Sequence, residues 1–323
     1  MRRAAKGALA AAAAVLAAWA GFVGVRSRAV ARELTDPPFY HPQPLARVEA
    51  TYRELAAGTP GADPGGAWET FRAGERQVWL LRRRVPAQWT VLMLHGFGDD
   101  RWGTSPALKW FPALDAAIFT YLGRDDAMRA GGPAPMVTFG AREAREVVEV
   151  VHALEARGVP RNRVILLGRS LGASVGLLAL ARLEAEGRGP LGGIIWEGAP
   201  ASSRDFAQRL VEGPVDRFWH PWVAPAVGQV ASALAARWAG YDRDDTDLLA
   251  RTAGMRLATP SLCFIAAQDR LAPPRVQRAL AARFAEIRVV EAPTWHLHCA
   301  ETLGPAYDRA LADAVRAWTT PRR

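Results

Sequence analysis

From residue 89 onward, short apolar runs alternate with longer stretches of helical periodicity. Trp89 to Leu94, Val164 to Leu167, Gly193 to Trp196, Ser261 to Ala266 and Ile287 to Glu291 are runs of four to six residues. The first three, bounded by turn residues, read as buried strands of a parallel sheet, and the last two as further strands. Ala117 to Tyr121 is a further strand candidate. Between the runs, Ala141 to Gly158 and Leu171 to Glu186 show helical spacing, stopped by Gly158-Val-Pro160 and by Gly187. Tyr307 to Trp318 is a closing amphipathic helix. Trp68 to Arg72 and Gln77 to Val85, joined by Ala73-Gly74-Glu75, read as a hairpin. The pattern predicts a doubly wound, mostly parallel sheet with helices on both faces and an antiparallel N-terminal edge. Residues 201–258 break the alternation. They are Trp-rich and Pro-interrupted, with helical stretches at Val230 to Trp238 and Thr246 to Ala253 and no clear strand. That segment is expected to be a helical insert over the sheet.

The N-terminus has a different pattern. Gly7 to Val25 is nineteen residues without a charge, preceded by Arg2, Arg3 and Lys6 and followed by Arg26 and Arg28. Nineteen residues are enough to span a bilayer as a helix. Ala18-Trp19-Ala20 also resembles a signal-peptidase site. Residues 1–28 are therefore a membrane anchor or a cleaved signal. The heavier positive charge before the run favours a catalytic part outside the cytoplasm, anchored or, after cleavage, exported. Residues 29–66 read as a linker. Asp36-Pro-Pro-Phe-Tyr-His-Pro-Gln-Pro44 excludes helix and central strand, a short helix is expected over Leu45 to Ala57, and Thr59 to Gly66 is turn chemistry. The main domain is then 67–318.

Charge changes the picture little. The net charge is +9, and of 41 basic residues only Lys6 and Lys109 are lysines. The arginines are spread along the chain among 32 acids, with no basic arm and no RNA-binding signature, which argues for a solvated surface and against nucleic-acid binding. Two cysteines, Cys263 and Cys299, make no disulfide framework, and no metal-type Cys/His spacing occurs. Cys263 lies in an apolar run and is expected in the core.

The chemistry begins at the run ending in Leu167. Gly168-Arg169-Ser170-Leu171-Gly172 is a G-x-S-x-G between a predicted strand and a predicted helix. In that context the spacing makes a nucleophile elbow: the glycines permit a tight backbone and the serine is lifted out at the strand's carboxyl end. The adjoining helix N-terminus favours negative charge there. A serine hydroxyl needs a base to take its proton, and the base an acid to orient it. Both types follow in order and just beyond strand ends: Gln268-Asp269-Arg-Leu-Ala-Pro273, then Pro293-Thr-Trp-His296-Leu-His298.

These motifs resemble an α/β-hydrolase of the broad serine-esterase and serine-peptidase type. His95-Gly96-Phe97-Gly98 matches the loop such enzymes carry before their first crossover helix. Thr138-Phe139-Gly140-x-x-Glu143 is similar to a segment before the helix leading to the elbow, and Asp269 to Pro273 matches the usual D-x-x-x-P. The likeness covers about residues 67–318. It departs at Ala267-Gln268-Asp269, which lacks the usual preceding glycine, and at the doubled histidine.

The resemblance implies an α/β-hydrolase fold with the insert at about 201–258 as a helical cap. It implies Ser170 as nucleophile, Asp269 as orienting acid and His296 as base, with His298 the alternative. The backbone N–H groups of Phe97 and Leu171 would form the oxyanion hole, and His95 would be structural. Glu197, at a strand end, is the rival acid. Asp205, Asp216, Asp242, Asp244, Asp245 and Asp247 in the insert read as caps and solvated charge. Trp219, Trp222 and Trp238 would line an acyl pocket or simply pack the cap. The implied activity is hydrolysis of an ester, less readily an amide, of a small acyl substrate, with no cofactor or metal. Its rivals are a non-catalytic membrane-anchored binding protein and an acyltransferase on the same triad.

Overall fold

Alternation along the strands divides their side chains between two cores. In the computed structural model, Leu92 and Leu94 pack into one core, Val91 and Met93 into the other. Leu166 likewise opposes Ile165 and Leu167. The structure describes residues 2–37, 50, 66–85, 87–212 and 220–320. The helix expected over Leu45 to Ala57 and most of the linker lie outside the described residues, as do Asp216 and Trp219.

Eight strands form one sheet: β1 (Ala67–Ala73), β2 (Arg76–Arg82), β3 (Thr90–Leu94), β4 (Asp115–Ile118), β5 (Val164–Arg169), β6 (Gly193–Glu197), β7 (Ser261–Ala266) and β8 (Ile287–Ala292). Their spatial order is β1-β2-β4-β3-β5-β6-β7-β8. The β1–β2 and β2–β4 pairs are antiparallel and the others parallel. The predicted mostly parallel sheet with an antiparallel N-terminal edge is therefore the one observed.

The helices are α1 (Arg2–Thr35), α2 (Arg124–Arg129), α3 (Glu143–Ala156), α4 (Leu171–Ala185), α5 (Ser203–Val211), α6 (His220–Ala239), α7 (Leu248–Arg251), α8 (Pro274–Ala281), α9 (Cys299–Leu303) and α10 (Pro305–Thr319). The first core takes Val147, Val151 and Leu154 of α3 and Leu177 and Leu180 of α4. The second takes Leu108 of a 3₁₀ helix (Ser105–Trp110) and Tyr307 and Leu311 of α10. Residues 171–181 of α4 are all buried, so this helix runs inside the fold. Between β6 and β7 the described residues hold α5, α6, α7 and a short 3₁₀ turn, and no strand. Cys263 and Cys299 are free thiols, both fully buried, and burial pushes both thiols up.

Two elements differ from the sequence reading. The β3–β4 connection carries no α-helix, only the 3₁₀ helix Ser105–Trp110. Pro106 at its start and Pro112 just past its end confine the helical stretch to six residues. Helix α1 also does not stop near residue 28. It runs to Thr35, and residues 29–35 are its last two turns. Val23, Ser27, Val30, Ala31 and Leu34 recur at helical spacing and form a buried stripe. The stripe packs against α6 and α5. The helix end is tied down as well: Val137 N–H donates to the Thr35 carbonyl at 2.9 Å, and Asp36 pairs with Arg124 at 2.9 Å.

Candidate active site

Strand register brings five loops together at one end of the sheet. Leu94 pairs with Gly168, Arg169 with Glu197, Glu197 with Phe264, and Ala266 with Ala292. The residues just beyond these pairs are therefore neighbours: His95 to Gly98, Ser170, Gly198, Asp269 and His296. The acid loop lacks the expected glycine but is fixed by the chain beside it. Ala267 N–H donates to the Ala292 carbonyl at 2.8 Å and Gln268 N–H to the Thr294 carbonyl at 2.9 Å.

Ser170 is held at φ 53°, ψ −125°, a conformation that costs a non-glycine residue on the order of 1–3 kcal/mol. Its surroundings enforce it. A Cβ at Gly172 would lie 2.2 Å from the Leu94 carbonyl oxygen, and one at Gly168 would lie 2.4 Å from the Gly172 carbonyl oxygen. The β5–α4 turn is thus crossed by the backbone of β3 at a distance only glycine allows. Ser170 N–H donates to the Glu197 carbonyl at 2.9 Å.

Ser170 Oγ lies 2.9 Å from His296 Nε2, and His296 Nδ1 lies 2.7 Å from Asp269 Oδ2. The carboxylate accepts, so Nδ1 carries the proton and Nε2 is left to accept from the serine hydroxyl. Asp269 is buried, and its other oxygen accepts the Ala272 N–H at 2.8 Å. His298 is elsewhere. Its side chain is 61% exposed, and its nearest carboxylate is Glu301 at 3.9 Å. Glu197, the rival acid, touches no histidine among the described residues; it accepts from Arg169 Nε and from Cys299 N–H, each at 3.1 Å.

Three supports surround these side chains, of which only the third was marked by a sequence motif. First, Arg169 also donates through Nη2 to the Leu297 carbonyl at 2.6 Å, so it links β5, β6 and the histidine loop. Second, Gly198, at φ 64°, packs beneath the imidazole. A Cβ there would lie 2.9 Å from His296 Cε1 and 3.0 Å from Nδ1. Third, the Thr138 to Glu143 segment braces the His95 loop. Buried Glu143 accepts from the N–H groups of Thr138 and Gly140 at 2.7 and 2.9 Å. Phe139, at φ 56°, is thereby set 6.0 Å from the Phe97 ring and 4.9 Å from Phe206.

His95 is held by two hydrogen bonds. Its Nδ1–H donates to the Gly96 carbonyl at 2.9 Å and its Nε2 accepts the Tyr121 N–H at 3.1 Å. Burial pushes its pKa down to about 3, so the ring stays neutral. Phe97 and Leu171 flank Ser170: Phe97 lines the same pocket, and Leu171 opens α4. The N–H of Leu171 is in the first helical turn, where no intrahelical acceptor exists.

Ser170 and His296 open into a pocket of about 370 Å³ walled by Phe97, Phe206, Leu210, Leu271 and Leu297, with Glu33 of α1 and Asp99. Burial pushes the Asp99 carboxyl up to about 6. A larger cavity of about 520 Å³, lined by Arg169, Lys109, Trp110 and Asp308, adjoins it across Gly96, Asp99 and Leu297 but does not reach Ser170. Trp222 is 75% exposed and Trp238 packs on the core; neither lines the Ser170 pocket. Two of the cap acids are caps as read: Asp242 accepts from Asp244 N–H at 3.0 Å and Asp247 from Ala250 N–H at 3.0 Å. Among the described residues no group of His, Cys, Asp and Glu side chains could hold a metal ion.

A sheet of this order, with its serine on the β5–α4 turn and acid and histidine after β7 and β8, is the α/β-hydrolase fold. No family model and no curated protein sequence matches the chain. Solved structures do. An esterase of Pyrococcus furiosus superposes with a TM-score of 0.60 at 14% identity, covering 89% of this chain and 98% of that one. An esterase/lipase from an uncultured bacterium gives 0.54 at 16%, covering 92% and 98%. An esterase from the bacterial hormone-sensitive lipase family gives 0.55 at 17%, covering 91% and 96%. The likeness is one of fold.

Proposed function

We propose that the protein is a serine hydrolase that cleaves a carboxylic ester through an acyl-serine intermediate. The observation that carries this is the unbroken chain of contacts from Asp269 through His296 to Ser170, 2.7 and 2.9 Å, at the mouth of an apolar pocket. Ser170 Oγ attacks the ester carbonyl carbon while His296 Nε2 takes its proton. Asp269 keeps Nδ1 protonated and offsets the charge of the imidazolium. The oxyanion accepts from the N–H groups of Leu171 and Phe97, and loss of one such donor costs roughly 3 kcal/mol. His296 returns the proton to the leaving alcohol, then activates a water that releases the acid. Three solved esterases of the same fold, together with an elbow strained at Ser170, support catalysis over a binding role.

The apolar length of α1 supports an anchor, and the heavier positive charge before its apolar run supports a catalytic part outside the cytoplasm. Among the described residues α1 is the helix long and apolar enough to cross a membrane. Wild-type protein should be labelled by a fluorophosphonate probe, and Ser170→Ala should abolish labelling while the circular dichroism spectrum and melting temperature are kept. A wild type that never labels would end this reading. Product analysis with and without an added alcohol separates hydrolysis from acyl transfer.

A further inference from the structure

Helix α1 is one unbroken helix whose two parts have opposite surroundings. Every side chain from Leu9 to Phe22 is exposed, Val15, Leu16 and Trp19 among them. From Val23 onward the buried stripe is fixed on α5 and α6, and Glu33 on the same turns lines the Ser170 pocket. A helix apolar all round needs lipid or protein about it, and no described part of this chain covers residues 9–22. Because the helix is continuous, the contacts that fix its second part also fix how far the pocket stands from whatever surrounds its first.

We propose that α1 holds the Ser170 pocket against the surface of a lipid bilayer, and that its substrate is an uncharged acyl ester resident in that bilayer. The proposal rests on the serine-hydrolase reading above. Arg26 is the first charge after the apolar run, and Glu33 follows seven residues later. At 1.5 Å per residue that is about 10 Å along the axis, and less in height if the helix tilts. The headgroup layer is itself roughly 5–7 Å thick. The pocket wall therefore stands within a few ångströms of that layer. An acyl ester withdrawn through the headgroups meets Phe206, Leu210 and Leu271 with little exposure to water. The ionisable wall residues besides His296 are two carboxylates, Glu33 and Asp99, which disfavours an anionic headgroup. The reaction is ester plus water to acid plus alcohol: the acyl group passes to Ser170 Oγ and then to water, and the first proton leaves on the alcohol.

The test uses the full chain in vesicles of diether phosphatidylcholine, which offers no ester of its own. Dioleoylglycerol is supplied either in the same vesicles or in separate, protein-free ones, with p-nitrophenyl butyrate as a soluble control. Oleate release is expected at least tenfold faster from the same vesicles, and the diester phosphatidylglycerol at least tenfold slower than dioleoylglycerol. Hydrolysis of the butyrate with none of dioleoylglycerol, or equal release in both arrangements, overturns the proposal. Hydrolysis of neither ester brings down the serine-hydrolase reading with it. An eleven-residue polar helical insertion between Phe22 and Val23 adds three turns, about 16 Å, and leaves the stripe intact. It should lower dioleoylglycerol hydrolysis at least tenfold with the butyrate rate unchanged; an unchanged dioleoylglycerol rate contradicts the proposal. Where the insertion impairs folding, the wild-type comparison decides alone.

Discussion

Gly198 is the residue on which the imidazole rests. A methyl group there would meet His296 at 2.9 Å on a backbone at φ 64°. Gly198→Ala should therefore tilt the ring away from Ser170, and kcat for a p-nitrophenyl ester should fall about 100-fold or more, as ångström-scale misplacements do. Melting temperature should drop only slightly, and an unchanged kcat would contradict the role. Asp99 gives a pH signature. Its carboxyl titrates near 6 in the folded protein, against 3.8 ordinarily, because it is buried. Between those values the native state holds a proton that the unfolded chain has released. Its contribution to stability thus falls as pH rises from about 4 to about 6 and is level above. Asp99→Asn should remove that slope, so the melting-temperature gap in its favour widens from pH 4 to pH 6; a constant gap would refute it. At this scale the elbow, Asp269 and the histidine pair were legible, because motif spacing reports backbone geometry. Which histidine faces Ser170 depends on the positive φ of Leu297 between them (63°), and no spacing rule encodes that.

At the scale of elements, Arg169 fastens three of them: the end of β5 that bears it, Glu197 on β6 and the loop carrying His296. Hydrogen bonds from a charged donor contribute about 1.5–3 kcal/mol. Arg169→Met should slacken the loop and lower kcat roughly 10- to 100-fold with KM little changed. It should also lower the melting temperature, because Glu197 keeps a buried charge without its partner. Adding Glu197→Gln should restore the melting temperature and leave kcat low. Recovery of both, or of neither, would count against the linkage. Strands were the most legible elements, since a run buried on both faces is apolar throughout, as Val164 to Leu167 is. The β3–β4 connection was not, because the expected crossover helix came from likeness and not from its own residues. Pro106 and Pro112 carried the contrary signal. The last turns of α1 were legible in principle from Val23, Val30 and Leu34, but the charges Arg26 and Arg28 at the end of the apolar run drew the boundary too early.

For the whole molecule, the consequence is a domain that begins inside α1. A chain started at Gly21 keeps the stripe; one started at Phe39 loses Val23, Val30 and Leu34 from the core they share with α6. Each such side chain contributes about 1.5–3 kcal/mol, so the shorter chain should melt lower by on the order of 10 °C or more. The longer chain should match the full-length protein. Equal melting of both truncations would show the stripe to be dispensable. The sheet order and the five-loop site followed from strand register once the strands were found. The attachment of α1 did not, since it joins segments nearly two hundred residues apart in the chain.

Cys263 and Cys299 give this architecture an internal gauge. One sits in the middle of β7 and the other opens α9, just past the histidine loop, and both are sealed from solvent. Neither is in a disulfide. Each thiol meets a reagent only when its own part of the fold opens. Cys299 thus clocks the local breathing that would carry His296 out of place, while Cys263 clocks the collapse of the sheet itself.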